Sequence, residues 1–179
     1  MAKTAQQPVL VIMGVSGSGK STVAGVVAGR LGWDLAEGDD LHPVRNVTKM
    51  QAGEPLTDED RLPWLETIAD WIRQHTQSGI PGVITCSALK RRYRDILRGE
   101  NVVFVFLQGS KDSISGRLAS RHGHFMPPAL LESQFEALEK PTEDENYISL
   151  CVTATPAEEA QEIIERLNLA AASAAPDQN

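Results

Sequence analysis

The octapeptide Gly14-Val15-Ser16-Gly17-Ser18-Gly19-Lys20-Ser21 follows directly on the apolar run Val9-Leu10-Val11-Ile12-Met13. A strand, a glycine-rich turn and a helix in immediate succession leave few folds open. The pattern G-x-x-x-x-G-K-S lets the backbone curl without Cβ clashes, so successive amides can point inward at an anion. Lys20 can reach the β- and γ-phosphates of a nucleotide, the Ser21 hydroxyl can ligate Mg²⁺, and the helix starting here turns its positive end to the same place. The spacing predicts a nucleoside triphosphate site built from Gly14, Val15, Ser16, Gly17, Ser18, Gly19, Lys20, Ser21 and Thr22.

The rest of the chain alternates short β-type runs with amphipathic segments, the signature of a parallel sheet covered by helices on both faces. Strands are expected at Val9–Met13, near Trp33–Ala36, at Val83–Cys86, at Val102–Leu107 and at Ile148–Val152. Helices are expected over about Lys20–Leu31, Asp58–Gln77, Lys111–Ser120 and from Pro156 onward. Thr57 with Asp60, and Thr155 with Glu158, are spaced as capping boxes. The reading is an α/β chain of the P-loop kinase fold, with a five-stranded parallel sheet and a small mobile lid around 121–140. Residues 1–169 form one domain, and an Ala/Ser/Pro-rich tail of 170–179 is expected to fray.

Composition narrows the partners. The net charge of −7 argues against a nucleic-acid partner. The apolar stretch ending at Met13 is far too short to cross a bilayer, so no membrane association is expected. Cys86 and Cys151 both lie in apolar β-type runs, which suggests buried, reduced thiols and a cytoplasmic setting.

Three clusters can carry chemistry. Glu37-Gly38-Asp39-Asp40 follows the second strand, and ligands of open α/β sheets bind beyond the carboxyl ends of strands. Asp39 is placed beside an acceptor hydroxyl as its proton acceptor, with Glu37 on the metal side through water. A basic set, Arg45, Lys49, Arg61 and Lys90-Arg91-Arg92-Tyr93-Arg94, suits a small anionic acceptor. Arg117 and Arg121 stand one helical turn apart before a Gly/Pro-bearing break and can neutralise a transferring phosphate. His122 and His124 lack further partners at zinc-ligand spacing. His42 precedes Pro43 and is expected in a turn that orients the acidic loop. Cys86 reads as an inert buried thiol, and Trp64 and Trp71 as packing.

Met13–Thr22, Gly38–Leu65, Cys86–Arg98, Arg121–Phe125 and Gln134–Pro141 together resemble the small gluconate kinases of the P-loop kinase superfamily. The resemblance implies transfer of the ATP γ-phosphate to the 6-hydroxyl of D-gluconate, with Mg²⁺, a cytoplasmic setting, a lid closing on ATP, and a homodimer. It casts Lys20, Asp39 and Arg121 as catalytic. It matches Arg117 and Arg121 to lid arginines and places Thr155 and Pro156 at the adenine. His42, Arg45, Lys49, Arg61, Ser87 and Lys90 become candidates for holding gluconate beside Asp39. The chain departs from similar kinases where Glu37 stands at the first position of their Asp-x-Asp. Other acceptors (shikimate, a nucleoside monophosphate, adenylylsulfate) and a non-catalytic nucleotide-binding module are the alternatives.

Overall fold

A computed structural model describes residues 6–119 and 128–172. Its centre is a parallel sheet of five strands in the order β2-β3-β1-β4-β5. The strands are β1 (Val9–Met13), β2 (Asp34–Glu37), β3 (Gly82–Thr85), β4 (Val102–Gln108) and β5 (Tyr147–Cys151). Each runs parallel to its neighbours, so all carboxyl ends meet at one edge. Their bounds differ from the sequence expectation by only a residue or two at each end.

Period-two alternation within the central strands feeds two cores. Leu10, Ile12, Val83, Val103, Val105 and Leu107 face α1 (Lys20–Leu31) and α7 (Pro156–Arg166), where Val23, Val27, Leu31 and Ile163 cover them. Val9, Val11, Met13, Ile84, Phe104 and Phe106 face the opposite way. Trp64, Leu65, Ile68 and Ile72 of α3 (Asp58–Ser78) close that side with Tyr93 and Leu97 of α4 (Arg91–Leu97). Strands buried on both faces must be apolar at every position, which is why β1 and β4 read as unbroken hydrophobic runs.

Both expected capping boxes form: Thr57 with Asp60 at α3, and Thr155 with Glu158 at α7. Among the described residues, three helices have no counterpart in the sequence reading. A 3₁₀ turn (Gly38–Leu41) leads into α2 (Val44–Gln51), and α4 carries the basic run. Helix α5 (Lys111–Ala119) precedes the expected lid, and α6 (Pro128–Ala137), the third such helix, lies within it; residues 120–127 lie outside the described ones.

Two expectations change. Cys86 is buried, whereas Cys151 is exposed. The reason is position: Cys151 ends the edge strand β5, which has a neighbouring strand, β4, on one side only. Residues 170–172, placed in the fraying tail by the sequence, are held by hydrogen bonds. The Trp33 indole N–H donates to Ala170 O, and the Ala172 amide donates to Leu31 O. Residues 173–179 lie outside the described ones.

Candidate active site

The glycine-rich turn joins β1 to α1 as expected. Gly14, Gly17 and Gly19 have φ of 148°, 80° and 95°, conformations that side chains with a Cβ rarely adopt. A Cβ on Gly14 would lie 2.8 Å from Ser18 Oγ and 2.9 Å from Leu107 O. The Ser18 amide donates to Val15 O, and the Gly14 amide to Ser87 O. Lys20 Nζ lies folded back on the loop, donating to Gly14 O at 3.1 Å and Val15 O at 3.0 Å. A phosphate fits this cradle: it needs amide donors at a helix N-terminus and a cation beside them, and the loop has both.

The register of the sheet builds the metal side. Glu37 and Thr85 end adjacent strands and are paired in register. Glu37 Oε2 accepts from Ser21 Oγ at 2.9 Å and from Thr85 Oγ1 at 2.6 Å. Thr85 Oγ1 in turn accepts from the Gly38 amide at 3.2 Å. Ser21 and Glu37, one helix apart in sequence, therefore share a single hydrogen bond across the mouth of the loop. This donor set of oxygen atoms suits Mg²⁺, which prefers few protein ligands and keeps its waters. Among the described residues no cluster of three His, Cys, Asp or Glu exists that would favour another metal.

Asp39 stands two residues beyond Glu37 on the 3₁₀ turn and is exposed. Its carbonyl accepts from the His42 amide at 3.4 Å, which ties the acidic turn to the histidine. Burial pushes the Cys86 thiol up to about 12. Burial likewise lowers the His42 pKa below its ordinary 6.5, with Asp39 opposing the shift and Arg61 adding to it. The inert-thiol reading of Cys86 also follows, because a thiol held so far above neutrality forms no thiolate.

The expected acceptor side is a polar lattice around the start of α3. His42 stacks on Trp64 with ring centroids 4.1 Å apart, and its Nδ1 accepts from Asn46 Nδ2 at 3.2 Å. Trp64 is packing, as expected, and its indole N–H also donates to Gly38 O at 2.7 Å. Lys49 pairs with Asp60 at 2.7 Å, and the lysine's hydrogen bond draws the Asp60 pKa down to about 2. Arg61 donates to Leu56 O at 2.8 Å and to the Tyr93 hydroxyl at 3.4 Å. Lys90 meets Asp58 at 3.3 Å, and Tyr93 and Arg92 also bond that carboxylate. The Tyr93 hydrogen bond holds the Asp58 pKa below its usual range.

Of the expected cations, Lys49, Arg61 and Lys90 come together here. Arg45 is exposed on α2 with no hydrogen bond or ion pair among the described residues. Ser87 lies half-buried beside the phosphate loop through its carbonyl. Arg94 turns inward instead. Its guanidinium is fully buried and pairs with Glu145 at 2.6 Å while donating to Ala88 O and Leu89 O. Arg91 is similarly engaged by Asp144 and Asp95.

Ser16, expected among the nucleotide ligands, has its amide and hydroxyl engaged by Gln134 of α6, at 2.7 Å and 2.9 Å. Thr155 and Pro156 lie at the α7 N-terminus, on the same sheet edge as the phosphate loop, with the Thr155 hydroxyl committed to its cap. Arg121, His122 and His124 fall outside the described residues, as does the side chain of Arg117. Thr85, Asp58, Asn46 and Gln134 are additions that sequence reading missed, and Tyr93, read only as part of the basic run, joins them. Each is an ordinary polar residue until the fold brings it to the site.

Comparison with known proteins decides the family. A family model described as shikimate kinase matches residues 16–168. A gluconokinase of Gluconobacter oxydans (strain 621H) is 50% identical over 157 residues, covering 87% of this chain and 88% of that protein. The chain belongs to the gluconokinase family. Another gluconokinase, the thermosensitive one of Escherichia coli (strain K12), is 51% identical over 140 residues, covering 77% of this chain and 75% of its own length. The crystal structure of a gluconokinase from Sinorhizobium meliloti 1021 superposes with a TM-score of 0.84 at 42% identity, covering 92% of this chain and 94% of that one. Gluconokinase membership agrees with the fold, the phosphate loop and the acidic turn. Among the described residues no helix is long and apolar enough to cross a membrane.

Proposed function

We propose that the protein is an ATP:D-gluconate 6-phosphotransferase, producing 6-phospho-D-gluconate and ADP. What carries the reading is the Ser21–Glu37 hydrogen bond at the mouth of the phosphate loop, with Asp39 following Glu37 on the 3₁₀ turn. Asp39 is assigned to the acceptor hydroxyl, and Lys49, Arg61 and Lys90 to the anionic acceptor. The gluconokinases among its relatives supply the identity of that anion.

In the proposed reaction the 6-hydroxyl oxygen of gluconate attacks the γ-phosphorus in line, and the bond to the β–γ bridging oxygen breaks. Asp39 takes the hydroxyl proton as the new P–O bond forms, and ADP leaves with the bridging oxygen. Phosphate-loop amides and Lys20 hold the phosphates throughout. Ser21 and Glu37 would hold Mg²⁺, which supplies charge neutralisation at the phosphates. Arg121 and Arg117 are assigned to the transferring group, Thr155 and Pro156 to the adenine. His42, Arg45, Lys49, Arg61, Ser87 and Lys90 are assigned to gluconate. A cytoplasmic homodimer completes the reading.

ADP release from Mg-ATP, measured beside shikimate, AMP and adenylylsulfate, tests it. Turnover with gluconate alone is the expected result. Turnover with another acceptor and none with gluconate would overturn the substrate assignment. ATP binding without turnover on any acceptor would overturn the enzymatic reading.

A further inference from the structure

Helix α6 reaches the phosphate loop from a distance of 118 residues in sequence. Leu131 is buried in the core beneath it, with Phe135 and Leu138 packed alongside. Those apolar positions fix the helix and leave Gln134 at the rim of the loop. The Gln134 carboxamide meets Ser16 at two points. Its Oε1 accepts from the Ser16 amide at 2.7 Å, and its Nε2 donates to Ser16 Oγ at 2.9 Å.

The position of Ser16 gives this contact its meaning. Val15 O accepts from the Ser18 amide at 3.2 Å, closing a tight turn with Ser16 and Gly17 at its centre. Gly17, with φ of 80°, occupies the position where such a turn demands a left-handed residue. The orientation of this turn determines where the next amides, at Gly19, Lys20 and Ser21, are aimed. A central amide in a turn of this kind has no partner within the turn, and Gln134 provides one. The chain just past the helix is also fixed: the Glu139 amide donates to Leu89 O at 2.7 Å, and Glu139 Oε1 accepts from the Arg91 amide at 2.8 Å.

We propose that Gln134 is a positioning residue of the phosphate loop, holding the outer turn so that the following amides converge on the nucleotide phosphates. In this role it acts through Ser16. The inference deepens the nucleotide half of the proposed function and is independent of which acceptor is phosphorylated.

Gln134→Met tests it, since methionine has similar length and packs without hydrogen bonding. Calorimetric Kd for a non-hydrolysable ATP analogue, measured without any acceptor, is expected to rise about tenfold, the equivalent of two modest hydrogen bonds. In steady state the KM for ATP should rise with it. The KM for gluconate at saturating ATP should stay within about twofold, because the acceptor cluster has no bond to Gln134.

Combining Gln134→Met with Ser16→Ala completes a double-mutant cycle. The proposal expects Ser16→Ala to cost little once Gln134 is gone. A Gln134→Met protein that binds the analogue within about twofold of the parent, or more tightly, would overturn it. So would strict additivity of the two substitutions. Gln134→Ala offers the same readings if the methionine variant folds poorly. Absence of gluconate turnover in the parent would sink the proposed substrate and leave the analogue-binding result unaffected.

Discussion

Thr85→Val removes one hydroxyl from the middle of the metal side and keeps the shape of the residue. Thr85 is 3% exposed and ends β3. Its hydroxyl accepts from the Gly38 amide at 3.2 Å and donates to Glu37 Oε2 at 2.6 Å. Valine abolishes both bonds. The orphaned Gly38 amide is buried, and an unpaired buried donor costs about 1–3 kcal/mol. The lost bond to a half-buried carboxylate adds about 1 kcal/mol, while the extra buried methyl returns under about 1 kcal/mol. The net destabilisation is about 1.5–3 kcal/mol, which for a chain of this size lowers the melting temperature by about 5–10 °C.

The same substitution should disturb function separately, because Glu37 loses one of its two orienting donors. Half-maximal activity should require about fivefold more Mg²⁺ at fixed ATP, the equivalent of about 1 kcal/mol. Thr85→Ser keeps the hydroxyl and should stay within about 1 kcal/mol of the parent, the cost of one small cavity. Urea titrations of the three proteins, with Mg²⁺ titrations of activity alongside, make the comparison. The reasoning is falsified if valine and serine variants unfold at the parent's urea midpoint and share its Mg²⁺ dependence.

Other substitutions probe neighbouring atoms. Asp39→Asn should lower turnover by about 10²–10⁴-fold, the range for a lost general base; near-normal turnover in a folded variant would remove Asp39 from that role. Gly38→Ala would place a Cβ 2.0 Å from Thr85 O, a backbone atom that cannot yield. It should cost about 3 kcal/mol or more and displace both flanking acids, so thermal melts and kcat/KM should fall together.

His42 gives a pH dependence with a defined sign. Its folded pKa is lowered from 6.5 by burial, so the unfolded chain binds the proton more readily. Stability should therefore decline as pH falls from 6.5 toward the lower folded value, and be fully present above 6.5. Urea midpoints at about pH 7.5 and 5.5 should differ more for the parent than for His42→Gln. Equal differences would show that His42 is not the group responsible.

Features with a local or periodic signature were legible in the sequence. The phosphate loop, the strands buried on both faces, the two capping boxes and the acidic turn each leave a mark within a few consecutive residues. Helix α2 was missed because it is only eight residues long: Val44, Val47 and Met50 recur at helical spacing but stay exposed, and Asn46 is its one buried residue. Arg94 misleads for a different reason. A Lys/Arg run reads as surface, and the partner that allows burial, Glu145, is 51 residues away. Thr85 and Gln134 are ordinary polar residues until the sheet register and the docking of α6 bring them to the site. Cys151 shows that an apolar run does not say which strand lies at the edge.

Helix α2 is attached to the molecule by polar contacts more than by apolar packing. Asn46 donates to Asp60 O and to His42 Nδ1, and Lys49 pairs with Asp60, while Val44, Val47 and Met50 stay exposed. Such an element opens at a lower free energy than the sheet it borders. Its amides should exchange hydrogen ahead of those of α3, and faster as ionic strength rises and the Lys49–Asp60 pair is screened. The sheet and its two cores can thus stay closed while α2 opens, so substitutions at Val44, Val47 and Met50 should leave the core's own stability nearly unchanged.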